Sequence, residues 1–397
     1  MSRIKVLEIM THYDTGGVRT HVESLVEEFS RDLSIEVVMA YGGDVDLQRD
    51  GKGFKIFEIK GLVREISPIK DIIAVFRLYR ICRSNKFHIV HTHGPKAGFI
   101  GRLAAFLARV PVIVHTHHGL AFHEFLPWHK RTLYIALEKM AGRVTTHFIS
   151  VANYNVEQLI KNRVCKSHEI TVIPNGINTK MFRSQFDNDE EAKIEGIAPE
   201  DFIVGCITRI DPFKNLEMLV EVAQRLHSNN PAVKLLLVGG GPSYEEVKLL
   251  VKEKEADSYI IMTGPRQDVP KILKRIDVFA FTSKLEGMPY SIIEAMAAGK
   301  AVVSTAVGGI PEIIEHGNSG FLVKNFEVST FVEYIEKIIT NRELRQRIGL
   351  QAQLIIEKDY DALKMANRVK NLLLRLYDQH RQDYKLYNNH DKINRNL

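Results

Sequence analysis

Short apolar runs alternate with amphipathic helical periods twice along this chain, and that alternation restricts the fold more than any other feature. Ile4–Met10 is such a run. A loop, Thr11–Gly17, follows it, and then Val18–Phe29, where Val22, Leu25, Val26 and Phe29 recur at helical spacing. Further strands are expected at Ile35–Ala40, Ile89–Thr92, Val112–His115 and His147–Val151, with helices at Ile72–Cys82, Ala97–Leu107 and Leu133–Met140. A second series starts after Asn175-Gly176, with strands at Phe202–Thr208, Lys234–Val238, Tyr259–Met262, Val278–Phe281 and Ala301–Thr305. Strands buried on both faces read as continuous apolar runs, so the pattern predicts parallel sheets covered by helices on both sides. At 397 residues the chain exceeds one ordinary core. The expectation is therefore α/β, with two Rossmann-like doubly wound domains over 1–180 and 181–370. Residues 371–397 are expected to form a C-terminal helix or tail, with a return to the first domain left open. The charged stretch Phe186–Glu200 reads as a connecting excursion, Tyr360–Tyr377 as helical, and Tyr384–Leu397 as a polar, frayed end.

Composition removes several functional classes. No stretch approaches the ~20 apolar residues that span a bilayer, and the N-terminus enters a charge-broken strand rather than a signal sequence. Cys82, Cys165 and Cys206 form neither a paired motif nor a disulfide framework, which suits a reducing cytoplasm. A net charge of +6 suits a phosphate-bearing partner. The chain has no tight basic tract or basic helix repeat of the kind that reads nucleic acid.

In an open parallel sheet, ligands bind beyond the carboxyl ends of the strands, so the residues there carry the functional argument. Asp14-Thr15-Gly16-Gly17 precedes a helix, where backbone amides and the helix dipole can meet an anion; a plain tight turn is the competing reading. The strand Phe202–Thr208 runs into Arg209 and Lys214, two cations in one loop that can hold a diphosphate or can simply be surface charges. Lys234–Val238 runs into Gly239-Gly240-Gly241, a glycine turn without the third glycine of the dinucleotide fingerprint. The densest signal is Leu285 to Gly299. Glu286 is expected at a helix mouth, Pro289 in the first turn, and Glu294 about one turn inside. A carboxylate accepts two hydroxyl hydrogen bonds at once, so each glutamate can grip a vicinal diol. A solvated helix face is the ordinary alternative for either glutamate alone.

At these residues the chain resembles the retaining family 4 glycosyltransferases, which have the two-Rossmann GT-B architecture. Their E-x7-E spacing appears as Glu286 and Glu294, and the match extends over Gly16-Gly17, Val172-Ile-Pro-Asn175-Gly176, Arg209 with Lys214, Gly240-Gly241, Asp268-Val-Pro and Val307-Gly-Gly-Ile-Pro-Glu312. The resemblance implies two domains facing across a cleft, the first for acceptor and the second for nucleotide sugar. It implies that Glu294 binds the donor ribose and Glu286 the transferred sugar, while Arg209 and Lys214 neutralise the diphosphate. Gly16, Gly17, Gly241, Arg266, Gly287, Met288 and Pro289 complete the implied donor site. His118, before Gly119, would contact the transferred sugar, and His117 is its rival because a one-residue shift exchanges them. His12, His93, His117 and Asn175 are candidates for acceptor binding. His118, Arg209, Lys214 and Glu286 are the expected catalytic group. The donor is expected to be a UDP-sugar or GDP-sugar, with no further cofactor and no required metal. The acceptor is expected to be a glycan or a polyprenyl-diphosphate-linked glycan of the cell envelope or of an exopolysaccharide, and the place cytoplasmic, with the inner membrane face open.

Other readings compete. His91, His93, His115, His117 and His118 can suggest a metal, but no cysteine joins them and no H-E-x-x-H helix is present. Asp44-Val45-Asp46 resembles a metal-holding carboxylate pair, and its Gly- and Asp-rich setting also reads as a turn. Arg64–Lys86 is a basic amphipathic segment that can rest on anionic lipid or cover a sheet. Two alternatives use the same scaffold. One is a non-catalytic nucleotide-sugar-binding protein, and the other is a phosphorylase-like enzyme, which needs a lysine-bound pyridoxal phosphate.

Overall fold

The computed structural model describes residues 3–13, 16–43, 54–184 and 192–394. Asp44-Val45-Asp46 lies outside them, as does most of the loop Tyr41–Gly53, the first half of the 186–200 excursion and the Asp14-Thr15 pair. The chain forms two compact units, one of residues 1–174 and 363–397, the other of residues 175–362.

In the first unit, a wholly parallel sheet of seven described strands has the order β3-β2-β1-β4-β5-β6-β7. The strands are β1 (Ile4–His12), β2 (Ile35–Gly42), β3 (Ile56–Glu58), β4 (Ile89–His93), β5 (Val112–His117), β6 (His147–Ser150) and β7 (Ile170–Val172). The helices are α1 (Gly17–Ser30), α2 (Pro68–Asn85), α3 (Pro95–Leu107), α4 (Trp128–Gly142) and α5 (Asn153–Lys161). One face of the sheet is covered by α2 and α3, through a core that joins Leu7, Ile9, Val90 and Ile113 to Leu78, Ile100 and Ala104. Val6, Val112 and Ile149 pack instead with Leu25 and Phe29 of α1 and with Met365, Val369, Leu372 and Leu373.

The second unit repeats the plan with the described order β10-β9-β8-β11-β12-β13, again all parallel. Its strands are β8 (Phe202–Ile207), β9 (Val233–Val238), β10 (Ile260–Gly264), β11 (Val278–Phe281), β12 (Ala301–Thr305) and β13 (Phe321–Val323). Its helices are α6 (Thr179–Ser184), α7 (Leu216–Asn229), α8 (Tyr244–Glu253), α9 (Val269–Arg275), α10 (Tyr290–Ala297), α11 (Val328–Thr340) and α12 (Arg342–Asp359). A last helix, α13 (Ala362–Asn394), continues from α12 and packs through its first half on the first unit.

Both strand orders are doubly wound, with a reversal of direction at β1/β4 and at β8/β11. At such a point the loops leave the sheet on opposite sides and open a crevice for ligand. Three strands escape the sequence reading: β3, β7 and β13, each of three residues. Edge strands this short carry no resolvable period, and pairing with one neighbour creates them. The expected frayed end at Tyr384–Leu397 is instead helical to Asn394.

Candidate active site

The crevice of the second unit is built by the loops that leave β8 and β11. After β8, Asp211 caps a single 3-10 turn, its Oδ1 accepting from the Phe213 amide at 3.0 Å. Asn215 then takes a left-handed φ of 52° and starts α7. The loop after β11 is stitched to this turn: Thr282 Oγ1 donates to the Lys214 and Asn215 carbonyls at 3.0 and 3.1 Å, and the Lys284 amide donates to Phe213 O at 2.7 Å. The result sets Lys214 Nζ 2.5 Å from Glu286 Oε1, with both side chains largely buried. Burial by itself would strip the proton from Lys214, but the charge and hydrogen bond of Glu286 outweigh it and hold the pKa above the ordinary lysine value. A fixed cation therefore stands at the switch point. Arg209, on the same loop, keeps about half its side chain exposed and has the Asp211 carboxylate 4.0 Å away.

The Glu286–Pro289 backbone is pinned from two sides. Asn175 Nδ2 donates to Met288 O at 2.8 Å, and the Gly309 amide donates to Gly287 O at 3.0 Å. Gly308 closes against the same segment. It has a φ of 56°, and a Cβ there would lie 1.8 Å from Glu286 O. Gly241 serves packing too, since a Cβ on it would meet Ile210 O at 2.2 Å. Pro289, expected inside the first turn, is the residue before α10, with ψ of 124°. Its fixed φ suits either place, and the extended ψ excludes it from the helix. The first amides of α10 have no acceptor within the helix and face outward from its start.

Glu294, on the second turn of α10, keeps part of its surface open, yet surrounding protein pushes its pKa up to about 7. No hydrogen bond to this carboxyl occurs among the described residues. Tyr290, one turn earlier, is a neighbour the sequence reading missed. Its hydroxyl is buried without a hydrogen-bond partner, and burial followed by the Glu294 charge raises its pKa. Arg266 is held by its own loop: its Nε and Nη2 donate to Asp268 Oδ1 and Oδ2 at 2.8 and 2.6 Å.

The first unit's switch point is different. Register pairs Glu8 with His91 and Met10 with His93, so by strand alternation Glu8, His91 and His93 share one face of the sheet. Glu8 is fully buried there, with its Oε2 2.9 Å from His91 Nδ1 and 2.7 Å from His93 Nε2. His93 Nδ1 is in turn 3.1 Å from His118 Nε2, and His91 Nε2 is 2.7 Å from Thr116 Oγ1. Burial first, then neighbouring histidines, holds the pKa of both His93 and His118 well below the ordinary value, so both rings are neutral. With Glu8 as acceptor, the proton of His93 sits on Nε2, its Nδ1 accepts from His118 Nε2–H, and His118 Nδ1 becomes the acceptor. The ring of His21, on α1, meets His118 edge-on at 4.7 Å.

His115 and His117 lie on the opposite face. His117 stacks on Phe148 and is buried, its Nε2 has no hydrogen-bond partner, and burial takes its pKa down to about 4. His118 is only half-buried. His12 ends β1 at the same edge, and Gly16 and Gly17 open α1. Asn175 belongs to the second unit, where its amide braces the Met288 loop. Among the described residues, three groups are compact enough to share an ion: His21, His93 and His118; Glu8, His91 and His93; and His115, His117 and Glu138. Hydrogen bonds within the first two, and the Arg102–Glu138 pair at 2.9 Å beside the third, account for that compactness.

The chain matches two families. Residues 15–181 match Glycosyltransferase Family 4, and residues 187–354 match Glycosyl transferases group 1. It is 30% identical to UDP-Gal:alpha-D-GlcNAc-diphosphoundecaprenol alpha-1,3-galactosyltransferase of Escherichia coli over 81% of this chain and 84% of that protein. It is 26% identical to the capsular polysaccharide biosynthesis glycosyltransferase CapM of Staphylococcus aureus over 79% of this chain and 84% of the relative. Among solved structures, Anabaena Alr3699/HepE in complex with UDP and glucose has a TM-score of 0.79 at 20% identity, covering 94% of this chain and all of that one. The fold, the paired switch points and these matches agree: the chain belongs to the family 4 glycosyltransferases, with the GT-B architecture.

Proposed function

We propose that this glycosyltransferase moves a hexosyl or N-acetylhexosaminyl group from a UDP-sugar to a polyprenyl-diphosphate-linked glycan, with retention of anomeric configuration, in cell-envelope or exopolysaccharide assembly. The observation that carries the reading is Lys214 held charged against Glu286 at the switch point of the second unit. Relatives named for a UDP-galactose donor, a diphosphoundecaprenol acceptor and capsular polysaccharide support the substrate classes.

Cleavage of the bond between the sugar's anomeric carbon and the diphosphate leaves the electron pair, and negative charge, on the phosphate oxygen. A preorganised cation lowers that barrier because it needs no reorganisation as the charge develops. Lys214 and Arg209 fill this role, which is why no metal is required in this reading. The start of α10 adds amide donors. Glu294 receives the ribose hydroxyls and Glu286 those of the sugar. The acceptor hydroxyl attacks on the face the diphosphate leaves, and a phosphate oxygen takes its proton. His118, neutral and half-buried, positions the sugar as a hydrogen-bond acceptor; its rival His117 is stacked away on the other face.

Among the described residues no helix is long and apolar enough to cross a membrane. Peripheral contact is supported by α2. Ala74, Leu78 and Cys82 face the sheet, while Ile69, Ile72 and Phe76 are exposed beside Lys70, Arg77, Arg80 and Arg83.

A panel of UDP- and GDP-sugars, incubated with sugar-diphosphate-polyprenol acceptors and followed by NMR of the new anomeric centre, tests the proposal. Transfer with retained configuration is expected. Donor binding without transfer or hydrolysis would favour the binding-only alternative, and inverted product would overturn the mechanism.

A further inference from the structure

The first unit contains a groove of about 1030 Å³ over α3, walled by α2 on one side and α4 on the other. Ile72, Val75, Phe76, Phe99, Leu103 and Leu137 are among the residues that line it. The volume is at the top of the range for small-molecule sites, far more than a diphosphate needs. Three of its charged members are paired: Lys96 lies 2.6 Å from Asp71, and Glu138 binds Arg102. A peptide would bring backbone donors and acceptors that need partners in such a lining. A hydrocarbon chain brings none.

Two further observations narrow the occupant. The lining includes Pro95 and Lys96, two and three residues after His93, and Ala121, three residues after His118. Chain connectivity therefore puts these lining residues close to the carboxyl edge of the sheet, where an acceptor head would sit. Its outer wall, α2, carries Lys70, Arg77, Arg80 and Arg83 against one carboxylate, Asp71, and Arg64 lies at the groove itself. That charge complements a phosphorylated amphiphile. The apolar surface also continues outward through the exposed Ile66, Ile69 and Leu107.

We infer that this groove holds the polyisoprenoid tail of the acceptor, a reading that rests on the acceptor class proposed above. The head lies at the edge of β4 and β5, and the first isoprene units run between α2 and α4. The enzyme thus recognises its acceptor by tail as well as by sugar.

The test compares two acceptors with one sugar-diphosphate head, on a long polyisoprenyl chain and on a short water-soluble alkyl chain. Wild type should prefer the long chain. Leu103→Trp, which fills the floor, and Ile72→Asp, at the exposed mouth where folding is unaffected, should each cut the long-to-short ratio of kcat/KM at least tenfold. A ratio that neither variant changes overturns the inference. A photoreactive isoprenyl diphosphate without sugar gives a readout independent of transfer, and it should cross-link to residues 95–107. Cross-linking there without any transfer would leave the groove standing and sink the proposed activity. Transfer without cross-linking there would do the reverse. If vesicles of plain anionic phospholipid displace the probe as well as an isoprenyl diphosphate does, the groove takes bilayer lipid and the assignment to acceptor falls.

Discussion

At the switch point of the first unit stand histidines around a glutamate, and at that of the second a lysine against a glutamate. The sheets share one order over six strands, and burial acts on both sets, yet with opposite results. Burial holds His93 and His118 neutral: desolvation is the largest influence, neighbouring imidazoles add to it, and Glu8, 2.7 Å from His93, does not outweigh them. Lys214 stays charged because one carboxylate at hydrogen-bond distance outweighs its desolvation. The second unit thus presents a fixed charge suited to a leaving diphosphate. The first presents neutral hydrogen-bonding rings, which suit hydroxyl groups. Each has a carboxylate at hydrogen-bond distance, and the difference lies in what else surrounds it: further imidazoles beside His93, the Asp211 carboxylate beside Lys214.

Three experiments can break this contrast. The largest effect is expected at the fixed charge. Lys214→Ala should lower kcat about 10²–10³-fold, the usual cost of one preorganised transition-state group, with a smaller change in donor KM. Steady-state kinetics decide it, and a change confined to KM would show that Lys214 acts in ground-state binding only.

Next comes the carboxylate that orders the histidines. Glu8→Ala leaves the Nε2–H of His93 and the Nδ1–H of His91 without their acceptor in a dry site, at a cost of roughly 1–3 kcal/mol for each unpaired group. Denaturant titration should show that loss. Glu8→Gln should recover part of the stability while disordering the tautomers, so a Gln variant with wild-type kcat would separate the network from the reaction.

The smallest effect concerns Glu294, whose pKa of about 7 lies above its ordinary value. Only the ionised carboxylate accepts two ribose hydroxyls, so affinity for a UDP-sugar should fall about tenfold per pH unit below 7 and level off above it. Glu294→Gln should flatten that profile in calorimetric titrations. The sign for stability is opposite. Between the unfolded and folded pKa values the native chain binds the extra proton, so the free protein loses stability as pH rises through about 4.5 to 7. Glu294→Gln should therefore raise Tm at pH 8, and a lowered Tm would show that the carboxylate has a partner that stabilises it.

Much of this protein is legible in order of residues alone. Buried strands such as β8 and β11 announce themselves by unbroken apolar runs, and the glutamate pair by its spacing around a proline and a glycine. Glu8 gave a signal too, as an acidic residue in the middle of the apolar run Ile4–Met10, but a single residue in a strand does not say which neighbours it will meet. The sequence determined the alternation of elements, and with it the strand ends where chemistry collects, because periodicity is local. Only the tertiary structure decided the partners. It put His117 and His118 on opposite faces, since one residue of strand reverses direction. It brought Lys214 to Glu286 across 72 positions of chain, and it turned Asn175 to the Met288 carbonyl. It also carried Met365 to Leu373 onto the first unit's sheet. Those choices depend on sheet order and close packing, which are properties of the whole fold and leave no local period to read.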